Sequence, residues 1–308
     1  MTITKDSSSI HKLRSCLPTQ VSSAILQLDK TTLDKICEIR LRREGITTVT
    51  IGGQNFVLSL TGLTDDTSRA VICQKQDIDD FLFKFCKGSV FSYETTIKEG
   101  FIVSDGIRAG MGSLSSQASG MEFDISSINI RIPRYVKGCA DGIFTHICKN
   151  GFEDGKGILI ISKPGVGKTT LLRDLAVSLS TGTAFGLKRV CVIDERNEIY
   201  MQKVFEHCCI DFISGIDKCR GIERASRLLS PEIIICDEIS GSEEAKRITT
   251  QKNSGVIFIA SYHADSYESA LKKPYILDMF NNGVFSHIYT LIREGSDIKG
   301  SLYRYANN

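Results

Sequence analysis

Between residues 158 and 170 the chain reads Ile-Leu-Ile-Ile and then Ser162, Lys163, Pro164, Gly165, Val166, Gly167, Lys168, Thr169 and Thr170. Four apolar residues running into a glycine-rich turn that closes on Gly-Lys-Thr-Thr describe a buried strand feeding a loop that opens a helix. Such a loop aims several backbone N–H groups and the positive end of the helix dipole at one point, which suits a polyphosphate. In a phosphate-binding loop of this kind Lys168 reaches the β- and γ-phosphates and the Thr169 hydroxyl holds Mg²⁺. Gly165 and Gly167 let the backbone approach the oxygens. Ser162 stands where the motif usually begins with Gly, and a small residue still makes that turn.

Two acidic pairs follow, each directly after a short apolar run: Asp194 and Glu195 after 190–193, Asp237 and Glu238 after 233–236. Asp237 suits a Walker-B role, accepting from Mg²⁺-bound water or from the Thr169 hydroxyl, with Glu238 polarising the attacking water. An acidic pair at a strand end can also be a solvated terminus, but a phosphate loop upstream favours the functional reading. Both pairs cannot be metal ligands beside one nucleotide, so one must orient water, and which one stays open. His263, just beyond the apolar run 256–260, either senses the γ-phosphate through a neutral imidazole N–H or is a half-buried histidine with a backbone partner. Arg131, Arg134 and Arg196 are candidates for the charge that completes the site, against the alternative of surface or ion-paired arginine, with Arg108 a further candidate.

These residues need a scaffold, and the second half of the chain alternates strand and helix as a parallel sheet requires. A helix over 169–180 carries Leu171, Leu172, Leu175 and Leu179 on one side. Four apolar strands each end in polar chemistry, the pattern of an open α/β sheet that binds ligands at the carboxyl ends of its strands. The segment 288–305, turning near Arg293-Glu294-Gly295-Ser296, reads as a closing hairpin. Upstream, residues 17–36 have helical spacing (Val21, Ile25, Leu28, Leu33, Ile36). Residues 38–42 alternate, and 49–51 and 55–58 flank Gly52-Gly53 as a hairpin. A helix over about 76–86 presents Ile78, Phe81, Leu82 and Phe85, and a second hairpin turns at Asp105-Gly106. The stretch 127–132 puts its isoleucines on one face, Asn129 and Arg131 on the other, and ends at Pro133. The expected organisation is an α+β domain over 1–137 and an α/β nucleotide-binding domain over 138–308, with 138–156 as the junction.

Composition agrees with two ordinary globular domains: 308 residues, 42% hydrophobic and 24% charged. No apolar run approaches the roughly 20 residues of a spanning helix, and MTITKDSSSIHK lacks the apolar stretch of a signal peptide, so a cytoplasmic protein is expected. Eleven scattered cysteines with no C-x-x-C pair read as reduced thiols rather than a zinc or disulfide framework. A net charge of +2 argues against a strongly basic nucleic-acid protein.

KPGVGKTTLLRDLA, VCVIDERNEI and LLSPEIIICDEI in the second half resemble the phosphate loop, acidic box and Walker-B strand of the stage III sporulation protein AA family, relatives of the type II and type IV secretion ATPases. EIRLR, SYETTIKEGFIVSDGIRAGMGS and SINIRIPRYVKGCA resemble its first domain, in the same order. The resemblance implies a RecA-like P-loop ATPase domain preceded by a smaller α+β N-terminal domain, in a cytoplasmic ATPase that uses ATP and Mg²⁺. It also implies a homo-oligomeric ring, a hexamer, at the base of a membrane channel joining mother cell and forespore. The sequence Ala260-Ser261-Tyr262-His263 departs from the relatives' histidine box. Two other classes remain in view: a nucleotide-binding scaffold with little turnover, and a RecA-like DNA motor or helicase loader.

Overall fold

The structure, a computed structural model, describes residues 8–104, 106–113, 124–182, 184–295 and 297–306. Asp105 of the second hairpin turn, Ser296 of the C-terminal turn and the first seven residues therefore lie outside the described residues. The chain divides into two compact units, one running to Arg134 and the other beginning at Tyr135.

In the first unit, antiparallel strands β1 (Ile36–Arg42), β2 (Thr48–Ile51), β3 (Gln54–Ser59), β4 (Gly62–Thr64), β5 (Phe101–Ser104), β6 (Ile107–Ser113) and β7 (Ile125–Arg131) form one sheet, in the order β4-β3-β2-β1-β7-β6-β5. Alternation decides which face is buried: Ile39 and Leu41 of β1 and Ile128 and Ile130 of β7 are fully buried. They pack with Val21 and Ile25 of helix α1 (Thr19–Leu26) and with Ile78, Phe81 and Phe85 of helix α2 (Lys75–Phe85). Each such side chain contributes roughly 1.5–3 kcal/mol by leaving water. Ile36, expected on the last of the short helices, instead opens β1. Its neighbour Arg134 is held in this unit by a bond from Nε to the Ile36 carbonyl (3.1 Å).

The second unit is built on a seven-stranded sheet of β8 (Gly157–Ser162), β9 (Val190–Asp194), β10 (Ile210–Ser214), β11 (Ile233–Glu238), β12 (Ile257–His263), β13 (Phe285–Glu294) and β14 (Asp297–Arg304). The order is β10-β9-β11-β12-β8-β13-β14, parallel throughout except for the final β13–β14 hairpin. Burial on both faces explains why the central strands read as unbroken apolar runs. Ile158, Ile160, Val192 and Ile235 face helices α3 (Asp141–Asn150) and α4 (Lys168–Ser180). Leu159, Ile161, Ile193 and Cys236 face α5 (Lys218–Arg224), α6 (Ser242–Lys252) and α7 (Pro274–Asn281).

Helix α3 corrects the expectation of a junction over 138–156. Ile143 and Ile147, one turn apart, are fully buried with helix α4, and Gly142 is taken into the first turn while Gly138 and Gly151 flank the helix. Strand β10 was also unforeseen, its five residues being too short and too mixed to stand out from their loop. All eleven cysteines are free thiols, and burial pushes those of Cys139 and Cys191 up to about 12.

Candidate nucleotide site

Strand β8 lies between β12 and β13, and the loop that follows it runs into α4. Gly165 has φ +74° and Gly167, the N-cap of α4, φ +119°, conformations that a side chain strains against. A Cβ on Gly165 would meet nothing within 4 Å, so what glycine supplies there is backbone shape and an open approach. Lys168 and Thr169 open α4, and Leu171, Leu172, Leu175 and Leu179 anchor its buried face.

The parallel register sets Ser162 level with His263 of β12. Lys168, only 7% exposed, turns its ammonium back under the loop: Nζ lies 2.6 Å from His263 Nδ1, 3.3 Å from the Ser162 carbonyl and 3.4 Å from its hydroxyl. Burial pulls Lys168 down to about 8, against the pull of Glu238 and Asp237. His263 Nε2, itself 3.5 Å from Lys168 Nζ, is 3.2 Å from Glu238 Oε2. In the tautomer with its proton on Nε2, Nδ1 accepts from the Lys168 ammonium and Nε2–H donates to Glu238.

The four carboxylates stand in different surroundings. Asp194 is fully buried, and its oxygens accept from the backbone N–H groups of Glu198 (2.8 Å), Ile199 (2.9 Å) and Tyr200 (3.0 Å). Arg173 closes the same loop by donating to the Ile199 carbonyl (2.7 Å) and to that of Glu198. The Asp194 carboxylate thus folds the loop that carries Glu195 and Arg196. Glu195 lies 3.7 Å from Lys218 Nζ. Asp237 is 8% exposed, and burial first, then the negative charges of Glu198 and Asp194, push its carboxyl up to about 6. Among the described residues none donates a hydrogen bond to it. Glu238 faces His263, with Arg196 Nη1 at 3.7 Å. A β-bulge in β11 between Cys236 and Glu238 places these two acids out of the regular pleat, a device that re-aims side chains beside active sites.

This donor set fits a Mg²⁺-nucleotide. Among the described residues no carboxylate is ion-paired with the buried Lys168 ammonium, which faces an open loop of positive-φ glycines, and a buried carboxylate with a raised pKa, Asp237, lies at the end of β11, one strand beyond β12. Mg²⁺ is commonly held by one or two protein oxygens plus phosphates, so Thr169 and Asp237 would suffice as protein ligands.

The arginines divide differently. Arg196 is brought to Glu238. Arg131 is exposed and lies 3.3 Å from Glu38 within the first unit, and Arg108, its cross-strand neighbour, stacks over Phe101 at 4.3 Å. Two residues were missed from the sequence. Arg293 of β13 donates to the Gly165 carbonyl (3.3 Å), which no local pattern announces. Lys218 begins α5, where a cation opposes the helix dipole, and that misplacement was the available signal that its charge is needed elsewhere.

A glycine-rich loop leaving an interior strand of a largely parallel sheet and opening a helix, with a smaller α+β unit before it in the chain, makes this a RecA-like P-loop fold. The ATPase DotB of Legionella pneumophila shares it, with a TM-score of 0.57 over 89% of this chain and 77% of that one at 13% identity. So does the pilus retraction motor PilT with bound ADP, at 0.57 over 88% and 80% with 12% identity. The chain belongs to the family described as sporulation stage III, protein AA, whose family model matches residues 10–304. Stage III sporulation protein AA of Bacillus subtilis (strain 168) is 28% identical to it over 92% of this chain and 91% of that protein.

Proposed function

We propose that the chain is an ATP-hydrolysing motor that works as a hexameric ring at the cytoplasmic base of a membrane channel between mother cell and forespore. The observation that carries the hydrolytic part is the continuous relay from Lys168 through His263 to Glu238, which ties the phosphate-binding cation to the carboxylate best placed to act on water. Family membership and the PilT-like fold support the motor part. Among the described residues no helix is long and apolar enough to cross a membrane, so attachment would run through integral channel proteins.

When bound, Mg²⁺-ATP supplies the phosphoryl group and the metal charge that offsets its negative oxygens. Lys168 would be the residue that meets the phosphates, and Thr169 and Asp237 would hold the metal. The His263 imidazole, in contact with both Lys168 and Glu238, would link the phosphate-binding cation to the carboxylate that orients water. Glu195, at the end of the neighbouring strand, is the second acid available to this work.

Steady-state phosphate release by the purified protein, with and without single-stranded DNA, tests the reading together with its mass in solution. Expected are Mg²⁺-dependent release indifferent to DNA and, with ATP, a particle near six times the 34.0 kDa of one chain. Binding without release would make it a scaffold, and stimulation by DNA a nucleic-acid motor. One arginine completes the site: Arg131 or Arg134, with Arg108 third. A bidentate guanidinium suits phosphate oxygens where lysine does not, and arginine fingers contribute on the order of 10³-fold or more to turnover. Arg131→Lys is expected to lower turnover far more than ATP affinity, and Arg134→Lys serves as the parallel variant. Wild-type turnover in the Arg131, Arg134 and Arg108 variants alike would move the role to Arg196.

A further inference from the structure

Lys218 has a side chain only 5% exposed, at the first turn of a helix whose N-cap, Asp217, accepts from the Arg220 backbone N–H (3.0 Å). Neither burial nor the helix dipole favours a cation there, so its surroundings must compensate. Three acceptors converge on its ammonium from three separate elements. Nζ donates to the Glu238 carbonyl at the end of the bulged β11, lies 3.3 Å from Glu244 Oε2 on α6, and lies 3.7 Å from Glu195 Oε2 in the loop after β9. Two of its donors are used in hydrogen bonds to Glu238 and Glu244, and Glu195 adds an ion pair at 3.7 Å. Glu244 in turn accepts from the Ser240 backbone N–H (2.8 Å) and hydroxyl (2.7 Å), so the turn leaving β11 is clamped from both ends.

The bulge at Asp237 breaks the regular ladder where Glu238 must be aimed, and a disrupted ladder alone would leave that aim loose. We propose that Lys218 is a positioning residue for hydrolysis: it grips the Glu238 backbone and the Glu195 carboxylate together, so that the Glu238 side chain keeps its place beside the phosphate loop. This rests on the ATPase reading above. It also accounts for two acidic pairs side by side, because Lys218 supplies the positive charge between Glu195 and the β11 terminus.

The test separates kcat from nucleotide Kd in Lys218→Met, Lys218→Arg and Glu244→Gln of the full chain, with a non-hydrolysable ATP analogue for Kd. Lys218→Met is expected to lower kcat at least about tenfold and move Kd by less than about threefold. Lys218→Arg restores most of the turnover because it keeps the charge and the donors. Glu244→Gln loses roughly threefold and adds nothing in the Lys218→Met background, since the two act through one contact. Wild-type kcat in Lys218→Met, or equal losses in kcat and affinity, overturns the proposal. If Lys218→Met fails to fold, wild-type kcat in Glu244→Gln does so. A wild-type protein that binds ATP but releases no phosphate overturns the motor reading and this role with it, whereas normal wild-type turnover unchanged by Lys218→Met sinks only the positioning role.

Discussion

Lys168→Ala is expected to abolish measurable ATP binding while leaving the fold intact. The side chain is nearly buried, yet its hydrogen-bond contacts are the His263 imidazole and the carbonyl and hydroxyl of one serine, and among the described residues no ion pair includes it. Charge-assisted bonds to phosphate are worth roughly 1.5–3 kcal/mol each, and losing two lowers affinity by about 10²-fold or more. Stability should not fall and should show its own pH signature. The folded pKa of about 8 lies below the ordinary 10.5, so the unfolded wild type binds more protons between those values. Wild-type stability relative to Lys168→Ala therefore rises with pH through about 8 to 10.5, and the penalty is complete below pH 8. Calorimetric titration with ATP and melting curves across that window check both halves. Unchanged nucleotide affinity would sink the phosphate-loop assignment.

Glu238→Gln should retain ATP binding and lose turnover by about 10²-fold or more, because the amide keeps the shape and still accepts from His263 Nε2–H but cannot take a proton from water. Asp237, not Glu238, is the metal ligand in this reading, so affinity for Mg²⁺-ATP should change little. Single-turnover phosphate release beside an equilibrium binding curve separates the two quantities. Normal hydrolysis in Glu238→Gln with loss in Glu195→Gln would transfer the water-orienting role to Glu195. Asp194→Asn makes a different point: an amide nitrogen cannot accept the backbone N–H groups that its carboxylate now holds, so its defect should be a lower melting temperature.

What could be read in advance was what neighbours in sequence decide. The run 158–170 carries its own strand, turn and helix signals, and the alternation around Asn129 and Arg131 assigns its own faces. Pairings over long separations were not legible. Nothing near Asp194 shows that residues four to six further on fold back onto its carboxylate. Lys218 finds Glu238 twenty residues away, and β13, recognised as part of a hairpin, gave no sign that it also pairs in parallel with β8. Helix α3 was lost for a different reason, because its two anchoring isoleucines sit among glycines and charges that read as a linker.

The strand order has a consequence for how unevenly the second unit opens. Strands β8, β11 and β12 each have a hydrogen-bonded neighbour on both sides and helices on both faces, so their amides are released only when the whole unit opens, whereas β10 and β14 at the margins can fray alone. Asp237, Glu238, His263 and the root of the phosphate loop all leave from the slowly exchanging centre. Arg293 reaches Gly165 from a strand whose outer partner is the marginal β14. Amide exchange would thus see one nucleotide site on two clocks: a rigid catalytic floor, and an arginine whose grip on the loop breathes with the edge of the sheet.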